Sequence, residues 1–365
     1  MPEQLSKAHL KLKDSATRFA ETVLLPRAGT TGEGREVANA SQAIGFHQMT
    51  QPKAHGGSAA SALELTVVRE ELAAHNPPYL ESVFGPGPGV LAGCGEPLAS
   101  EYLVPMLRGE KRGAFGFTEP DEHPTLGRID GDVVVVTGCK SYVTGGADAD
   151  FINTMVRLDD HGPAMVVIDT DTPGVTLTER FESLDGSHHA AFTFDEARVP
   201  TSNIIGKPGD GLPRAMRQIV DTRLLIAAQC VGLARWTIDF TTQHLAQPDR
   251  TGEPRGDKEG VRLRYADMRI QTYAARSMLY RTARLADAGD NIVNEGIACK
   301  VFATDMITSV VDAAIQLVGG NALVVGHPLE ALYRRVRAWR LAEGASDVLR
   351  LNLARGKLDL DKGIL

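Results

Sequence analysis

The segment "DVVVVTGCKSYVTGG", residues 132–146, decides the fold because a run of β-branched residues is followed by an aromatic residue and a glycine pair. It is one of several short β-rich runs between residues 113 and 206. Turn signals separate these runs, among them "IDGD" at 129–132, "DTPG" at 171–174 and "LDGS" at 184–187. The pattern predicts an all-β region in the middle of the chain.

Helical patterns flank this region on both sides. Apolar residues recur at steps of three and four between Leu12 and Val23, and Ser61 and Glu64 have the spacing of a capping box. After residue 206 the helical period returns in long segments. Segregated helices and strands exclude an alternating Rossmann fold and indicate an α+β multidomain protein. We expect an N-terminal helical domain (1–112), a middle β-barrel-like domain (113–206) and a C-terminal four-helix bundle (207–365).

Composition limits the possible functions. The 365 residues are 43% hydrophobic and carry a net charge of -7, which is typical of a globular protein and argues against a general nucleic-acid binder. The four cysteines stand far apart without a CxxC pair, so neither a disulfide framework nor a metal site is expected. No apolar run reaches the ~18 residues of a membrane span, and the N-terminus lacks a signal-peptide core. We expect a cytoplasmic protein that does not contact a membrane.

Two tempting motifs favour structural interpretations. "GPGPGVLAG", residues 85–93, resembles a dinucleotide loop, but Pro86 and Pro88 lack the N–H donors that a phosphate needs. His188 and His189 could bind a metal, but neighbours on a strand point to opposite faces and no third ligand lies nearby in the sequence. We therefore expect a structural loop and no metal.

A constellation of four segments carries the functional information. "GAFGFTEP" (113–120) and "GCKSYVTGG" (138–146) each place a threonine, Thr118 or Thr144, near aromatic residues in a β run. Such a pattern suits a flat conjugated ring that needs donors at its edge and apolar walls at its faces. Taken alone, this pattern fits an ordinary β-hairpin with turn threonines better than a ligand site. Together with "IQLVGGNA" (315–322) and "EGASDVLR" (343–350), it favours the ring ligand.

The order of these segments resembles the acyl-CoA dehydrogenase family from about residue 50 to the C-terminus. Any one segment alone is weak, but jointly they are highly specific. The segments that carry the resemblance, besides the four above, are "QPKAHGGS" (51–58), "REELA" (69–73), "YLVPMLRGE" (102–110) and "FDEARVP" (194–200).

The resemblance implies an FAD cofactor. Thr118 matches the threonine that binds the pyrimidine edge of the flavin, Thr144 matches the one near N5, and Tyr142 replaces a usual tryptophan beside the ring. Gln316, with Gly319 and Gly320, matches the segment that reaches the FAD of a neighbouring subunit. The implied cofactor-binding residues are Phe115, Phe117, Thr118, Tyr142, Val143, Thr144, Arg250, Gln316, Gly319 and Gly320.

The resemblance also implies a catalytic base. Glu343 matches the carboxylate of a large subgroup, whereas Thr222 occupies the other known position, just before Arg223. The α-C–H of a thioester is a weak acid, so its removal needs a carboxylate that partial burial makes more basic. Arg223, Ala342 and Gly344 are the implied substrate-binding residues.

Several positions depart from the family pattern. Residues 121–125 replace a glycine-rich loop that normally helps to hold the FAD phosphate, and "DGSHH" (185–189) stands where the substrate is usually contacted. Pro248 replaces the expected pyrophosphate arginine, with Arg250 as the nearest substitute. Ala342 and Ala345 replace larger residues, which predicts a wider acyl pocket.

The sequence therefore predicts FAD-dependent α,β-dehydrogenation of an acyl-CoA or acyl-carrier-protein thioester, with Glu343 as the base. Electron-transfer flavoprotein is the expected electron acceptor, and a homotetramer built as a dimer of dimers is the expected assembly. Two alternatives remain: a flavin oxidase or monooxygenase on the same fold, and a subunit of a heteromeric dehydrogenase.

Overall fold

We analysed a computed structural model of the chain, which describes residues 4–250 and 252–361. Along the chain, helices precede and follow a region of strands, which confirms the predicted fold class. The strands of the described residues are β1 (Gly113–Gly116), β2 (Leu126–Asp130), β3 (Val133–Thr144), β4 (Phe151–Leu158), β5 (Gly162–Asp169), β6 (Val175–Glu182) and β7 (His188–Pro200). Their α-helices are α1 (Lys7–Phe19), α2 (Gly34–Ile44), α3 (Ala62–Ala73), α4 (Val104–Leu107), α5 (Gly211–Leu245), α6 (Glu259–Asp287), α7 (Val293–Val318), α8 (Pro328–Ala338) and α9 (Ser346–Leu358).

Local sequence sets the beginning of α3. The Ser61 hydroxyl accepts from the Glu64 backbone N–H at 3.2 Å, and the Glu64 carboxylate accepts from the Ser61 N–H at 2.8 Å. These bonds satisfy two N–H groups that a helix start leaves unpaired, which confirms the predicted capping box. Farther along α3, buried Glu70 accepts from Arg235 of α5 at 2.9 Å and from Arg276 of α6 at 2.7 Å. One carboxylate thus joins three helices.

The strands form one curled sheet in the order β1-β4-β2-β3-β7-β6, with β5 paired to β4. The predicted turn signals fall between strands: "IDGD" joins β2 to β3, where Asp130 pairs with Val133, and "LDGS" lies between β6 and β7. β3 also pairs with β7, and the register shifts between Lys140 and Val143. This irregularity places Tyr142 at a φ of +52°, a conformation that bulky residues rarely adopt.

The glycine- and proline-rich segment at 85–93 forms a loop. Its Val90 N–H donates to the Gln218 side-chain oxygen at 2.8 Å, and a Cβ at Gly89 would lie 2.5 Å from that oxygen. Glycine is favoured there because Gly89 also has a φ of +52°, which residues with a side chain rarely adopt. The predicted structural loop is confirmed in its packing.

α7 corrects one expectation from the sequence. By length and hydropathy it is apolar enough to cross a membrane, although half of that window is buried inside the protein. Its buried side chains include Glu295 and Lys300 as well as Ile307, Val310 and Val311. Buried core helices pass the same test, so the segment is weak evidence for a membrane span.

Contacts divide the chain into two compact units. One contains the described residues up to Met49, then Ala60–Phe84 and the described residues from Val220 onward. The other contains Thr50–Ala59 and Gly85–Ile219. The three domain ranges given above stay predictions.

Candidate active site

Glu343 lies in the short turn that joins α8 to α9. Its φ is +54°, and that of the following Gly344 is +105°. A Cβ at Gly344 would lie 2.9 Å from the Leu349 side chain and 3.4 Å from the Arg223 guanidinium, so this position requires glycine. A non-glycine residue at positive φ is strained, and such strain is retained where the surroundings fix it.

Two buried cations fix the turn through its backbone. The Arg223 Nε, on α5, donates to the Glu343 carbonyl oxygen at 3.0 Å, and the Lys300 Nζ, on α7, donates to the Gly344 carbonyl oxygen at 2.8 Å. Arg223 is 6% exposed and Lys300 is fully buried. Both bonds are charge-assisted and therefore stronger than bonds between neutral groups. They place the carboxylate of Glu343 on a rigid support.

Ion pairs clamp the two ends of the same turn. Asp305 of α7 pairs with Arg340 at 2.8 Å and also with Arg350 of α9. The Ser346 N–H donates to the Arg340 carbonyl oxygen at 2.9 Å and begins α9. The turn is therefore held from both sides as well as at its centre.

The electrostatics suit a base. Burial raises the pKa of the Glu343 carboxyl above its ordinary value, and the positive charges of Arg223 and Lys300 offset this only in part. Burial also lowers the pKa of Lys300, to about 8. A carboxylate with a raised pKa binds a proton more strongly than an ordinary glutamate, which is what removal of a weakly acidic C–H requires.

The predicted flavin residues Thr118 and Tyr142 come together in the sheet unit. The Thr118 carbonyl oxygen accepts from the Ser141 N–H at 2.9 Å, which brings the TEP segment beside β3. Thr118 is exposed, and Tyr142 is 64% exposed. The rings of Phe115 and Phe117 stack with centroids 5.7 Å apart. Hydroxyl donors and aromatic faces are thus available in one region.

A buried ion pair that the sequence did not reveal supports this region. Lys140 of β3 is almost fully buried and donates to the Glu119 carboxylate at 2.5 Å. The Glu119 carboxylate also accepts from the Thr125 N–H at 3.1 Å, so the altered loop at 121–125 folds back onto the TEP segment. Although burial opposes it, Lys140 holds the pKa of Glu119 below its ordinary value.

Thr144 lies at the end of β3, is exposed, and has His189 of β7 as its cross-strand partner. Its hydroxyl lies 3.2 Å from the His189 Nδ1. Val143, which directly precedes Thr144, is buried in the sheet core. The sequence singled out His189 only as an unconvincing metal ligand, and in the described residues no group of three or more His, Cys, Asp or Glu is placed to hold a metal.

Arg250 and Gln316 line one pocket in the helical unit. Arg250 lies in a turn where Pro248 pairs with Pro254 in an antiparallel bridge. The pocket measures about 280 Å³ and contains three cations and one carboxylate among its lining residues: Asp249, Arg250, Arg255, Lys258, Val261, Gln316 and Leu317. Arg255 and Lys258 were not identified from the sequence, although both lie close to Arg250 in it.

The glycine pair follows directly after α7. Gly319 has a φ of +91°, which ends the helix, and Gly320 begins a short 3-10 turn. Three consecutive apolar residues begin at the last residue of this turn: Leu323, Val324 and Val325 are 66%, 61% and 82% exposed. Such a patch is typical of an interaction surface.

Pocket size alone does not identify the site. A larger cavity, of about 490 Å³, lies among α6, α7 and α9 and is lined by Met278, Phe302 and Leu353 among others, but by none of the predicted site residues.

The two residues that flank the Glu343–Gly344 pair are small. Ala342 is exposed and Ala345 is half-buried, so neither places a large side chain beside Glu343.

The residues present fit a flavin. In the sheet unit, exposed Thr118 and Thr144 offer hydroxyl groups, and Tyr142 and the phenylalanines offer aromatic faces, that suit a flavin ring. In the helical unit, taken by itself, the pocket around Arg250 offers positive charge that suits a phosphate. This donor set agrees with the implied cofactor. The individual roles of these residues stay predictions.

Comparisons with known proteins identify the family of the chain. Residues 6–110 match the family described as "Acyl-CoA dehydrogenase, N-terminal domain", and residues 209–358 match "Acyl-CoA dehydrogenase, C-terminal domain". An acyl-CoA dehydrogenase of Bacillus subtilis (strain 168) is 30% identical over 70% of each chain. An acryloyl-CoA reductase (NADH) of Anaerotignum propionicum is 28% identical over 97% of this chain and 95% of its own.

A solved acyl-CoA dehydrogenase from Geobacillus kaustophilus has the same fold, with a TM-score of 0.82 at 24% identity over 99% of this chain and 100% of that one. The described helices and the curled sheet therefore have a known counterpart. Family models match the N-terminal and C-terminal regions of this chain, and the Bacillus subtilis relative is similar over 70% of each chain. The chain belongs to the acyl-CoA dehydrogenase family of oxidoreductases, which act on CH–CH bonds.

Proposed function

We propose that the protein uses FAD to introduce a Cα–Cβ double bond into an acyl-CoA thioester, with Glu343 as the base. The observation that carries this proposal is the Glu343 turn. Two buried cations bind its backbone, and burial raises the pKa of its carboxyl. Family membership supports the coarser statement, acyl-CoA dehydrogenation.

Glu343 removes the α-proton of the substrate. Because the turn is fixed at both ends and at its centre, the carboxylate need not be ordered when the substrate binds, which lowers the barrier. Arg223 and Lys300 hold the turn through its backbone, and their positive charges favour the ionised carboxylate that must be present before the proton is taken up. When bound, FAD supplies the acceptor for the hydride that leaves the β-carbon.

Two groups of residues would hold FAD. Thr118, Tyr142 and Thr144 would contact the flavin ring, and the Lys140–Glu119 pair would keep the TEP segment in place. Arg250, with Arg255 and Lys258, would bind the pyrophosphate in place of the arginine that Pro248 replaces. Arginine is well suited to phosphate because its donors form paired, charge-assisted bonds.

A second candidate is the reverse reaction. The relative from Anaerotignum propionicum is named an acryloyl-CoA reductase (NADH) and is similar over nearly all of this chain. The same carboxylate would serve, because a base that removes the α-proton in one direction delivers it in the other. In that case the protein would reduce a conjugated acyl thioester with electrons that NADH provides.

Assembly, location and electron acceptor belong to the proposal as well. We propose a cytoplasmic homotetramer that passes electrons to electron-transfer flavoprotein. The exposed apolar residues at 323–325, beside the predicted inter-subunit segment, support self-association. Light scattering of the purified protein should give a mass near four times 39.2 kDa.

One experiment separates these functions. The protein is purified, and its flavin content is read from the absorbance spectrum. It is then mixed anaerobically with saturated acyl-CoA, or with conjugated acyl-CoA and NADH, and in a separate aerobic assay with NADH alone. Bleaching by saturated acyl-CoA supports dehydrogenation, and NADH oxidation that requires conjugated acyl-CoA supports the reverse reaction. Oxygen consumption with neither flavin bleaching by saturated acyl-CoA nor NADH oxidation that requires conjugated acyl-CoA contradicts both functions. A purified chain without flavin also contradicts both.

A further inference from the structure

The segment "DGSHH", residues 185–189, has no role in the proposed function although it departs from the family pattern. Its last residue, His189, pairs with Thr144 across β3 and β7. Consecutive residues on a strand point to opposite faces, so His188 and His189 do not act together. Of the two histidine rings, that of His189 lies within hydrogen-bond distance of the Thr144 hydroxyl.

Three contacts fix the His189 ring. Its Nδ1 lies 3.2 Å from the Thr144 hydroxyl, and its Nε2 lies 2.9 Å from the Ser187 hydroxyl. The ring also stacks on Phe181, with centroids 5.5 Å apart and planes 25° apart. A flip of the imidazole would therefore break both hydrogen bonds.

The positions of the protons follow from Asp185. The Ser187 hydroxyl oxygen lies 2.6 Å from the Asp185 carboxylate, which can only accept hydrogen bonds. Two oxygens at that distance repel unless a proton lies between them, so the single proton of the Ser187 hydroxyl points to Asp185. The Ser187 N–H donates to the same oxygen at 3.1 Å and holds it there. Ser187 must then accept a hydrogen bond from the His189 Nε2–H.

This assignment determines the direction of the next bond. A neutral imidazole carries one N–H, so with Nε2 protonated its Nδ1 is an acceptor. The Thr144 hydroxyl must donate to it, which leaves only lone pairs on the Thr144 oxygen for another partner. We infer that His189 is a positioning residue that holds the Thr144 hydroxyl as a hydrogen-bond acceptor toward the flavin.

The consequence rests on the proposed function, in which Thr144 lies near flavin N5. In oxidised flavin N5 accepts hydrogen bonds, whereas in reduced flavin it carries a hydrogen and donates. A Thr144 oxygen that can only accept therefore bonds reduced flavin and not oxidised flavin. The chain Asp185–Ser187–His189–Thr144 thus favours reduced flavin, by a ratio of affinities of about three- to tenfold, the worth of one net hydrogen bond.

Three variants test this inference. His189→Gln places its amide at the position of Nε2, so it keeps the hydrogen bond to Ser187 and loses the hydrogen bond to Thr144. His189→Asn places its amide at the position of Nδ1, so its oxygen can still accept from Thr144. His188→Gln is the matched control, because His188 is exposed and points to the opposite face.

The dissociation constants of oxidised and reduced FAD are measured for each folded variant. We expect the preference for reduced FAD to fall about three- to tenfold in His189→Gln, and to be kept in His189→Asn and His188→Gln. An unchanged preference in His189→Gln, in a chain that binds FAD, overturns the inference and leaves the proposed function intact. A wild-type chain that binds no FAD overturns the proposed function and, with it, the inference.

A second measurement needs no flavin. In the protein labelled with ¹⁵N-histidine, the ring signals of His189 are identified by their loss in His189→Gln. We expect Nε2 to resonate as a protonated nitrogen and Nδ1 as an unprotonated one. A protonated Nδ1 overturns the inference whatever the flavin does.

Discussion

Lys300 is a residue whose pKa departs from its ordinary value next to the candidate base. It is fully buried on α7, and its side chain donates a hydrogen bond to the backbone of Gly344. Burial lowers its pKa to about 8 because the charged form loses water. Its charge is therefore kept inside the protein for position and electrostatic balance next to Glu343.

The lowered pKa of Lys300 predicts how stability depends on pH. Between pH 8 and about 10.4, the ordinary value for lysine, the unfolded chain keeps a proton that the folded chain has released. The free energy of unfolding then rises with pH, relative to Lys300→Met, which has no such proton. From pH 7.5 to 9.5 we expect wild type to gain about 1–2 kcal/mol over the variant.

Urea unfolding of both proteins at the two pH values measures this difference. Lys258→Met is the matched control, because Lys258 is exposed and its pairing with Asp249 lies in another pocket. Equal pH dependence of wild type and Lys300→Met would show that Lys300 has an ordinary pKa.

We expect the turn between α8 and α9 to set the specificity for the acyl group. Ala342 and Ala345 flank Glu343 with small side chains, so a wide or branched acyl group can approach the base. In Ala342→Tyr we expect kcat/KM for branched or cyclic acyl-CoA to fall at least about tenfold, since a bulky ring would occupy that space, while straight chains are less affected. Val348→Tyr, at an exposed position of α9, is the control. Best activity with straight chains in wild type, and no change in Ala342→Tyr, would refute the wide pocket.

Elements also show what the sequence could predict. The capping box at Ser61 and the turn between β2 and β3 depend on neighbours in sequence, so local patterns sufficed. Lys300 and Gly344 are 44 residues apart, and Thr144 and His189 are 45 apart. Their contacts depend on which helices and strands pack together, and no local pattern contains that information. The resemblance led to Glu343 and, as a substrate-binding residue, to Arg223, but Lys300 and the bonds of both cations to the turn backbone emerged only from the fold.

At the scale of the whole molecule, the chain combines family segments with local replacements. Pro248 provides neither a charge nor an N–H, yet Arg250, Arg255 and Lys258 gather positive charge in one pocket near it in sequence. The altered loop at 121–125 is hydrogen-bonded to the Glu119 carboxylate through the Thr125 N–H. These observations support a self-sufficient flavoprotein over a subunit that depends on a partner for its FAD.

Arg250→Ala tests that interpretation. Because a pyrophosphate that leaves water needs paired charge, we expect the variant to bind FAD at least about tenfold more weakly and to lose flavin on gel filtration. The oligomeric mass and helical circular dichroism should not change. Arg264→Ala, on the exposed surface of α6, is the control. A wild-type chain that gains flavin only when mixed with a related subunit would support the heteromeric alternative instead.

The measurement that tests the central claim most directly is an anaerobic titration of FAD-loaded protein with acyl-CoA, in wild type and Glu343→Gln. The change is nearly isosteric, so folding and flavin absorbance should persist while reduction of the flavin slows at least about a hundredfold. In wild type the rate should rise with pH through a pKa above the ordinary range of glutamate, because Glu343 must be ionised. Asp347→Asn, an exposed carboxylate on α9, should behave as wild type. Flavin reduction by Glu343→Gln at the wild-type rate would contradict the account.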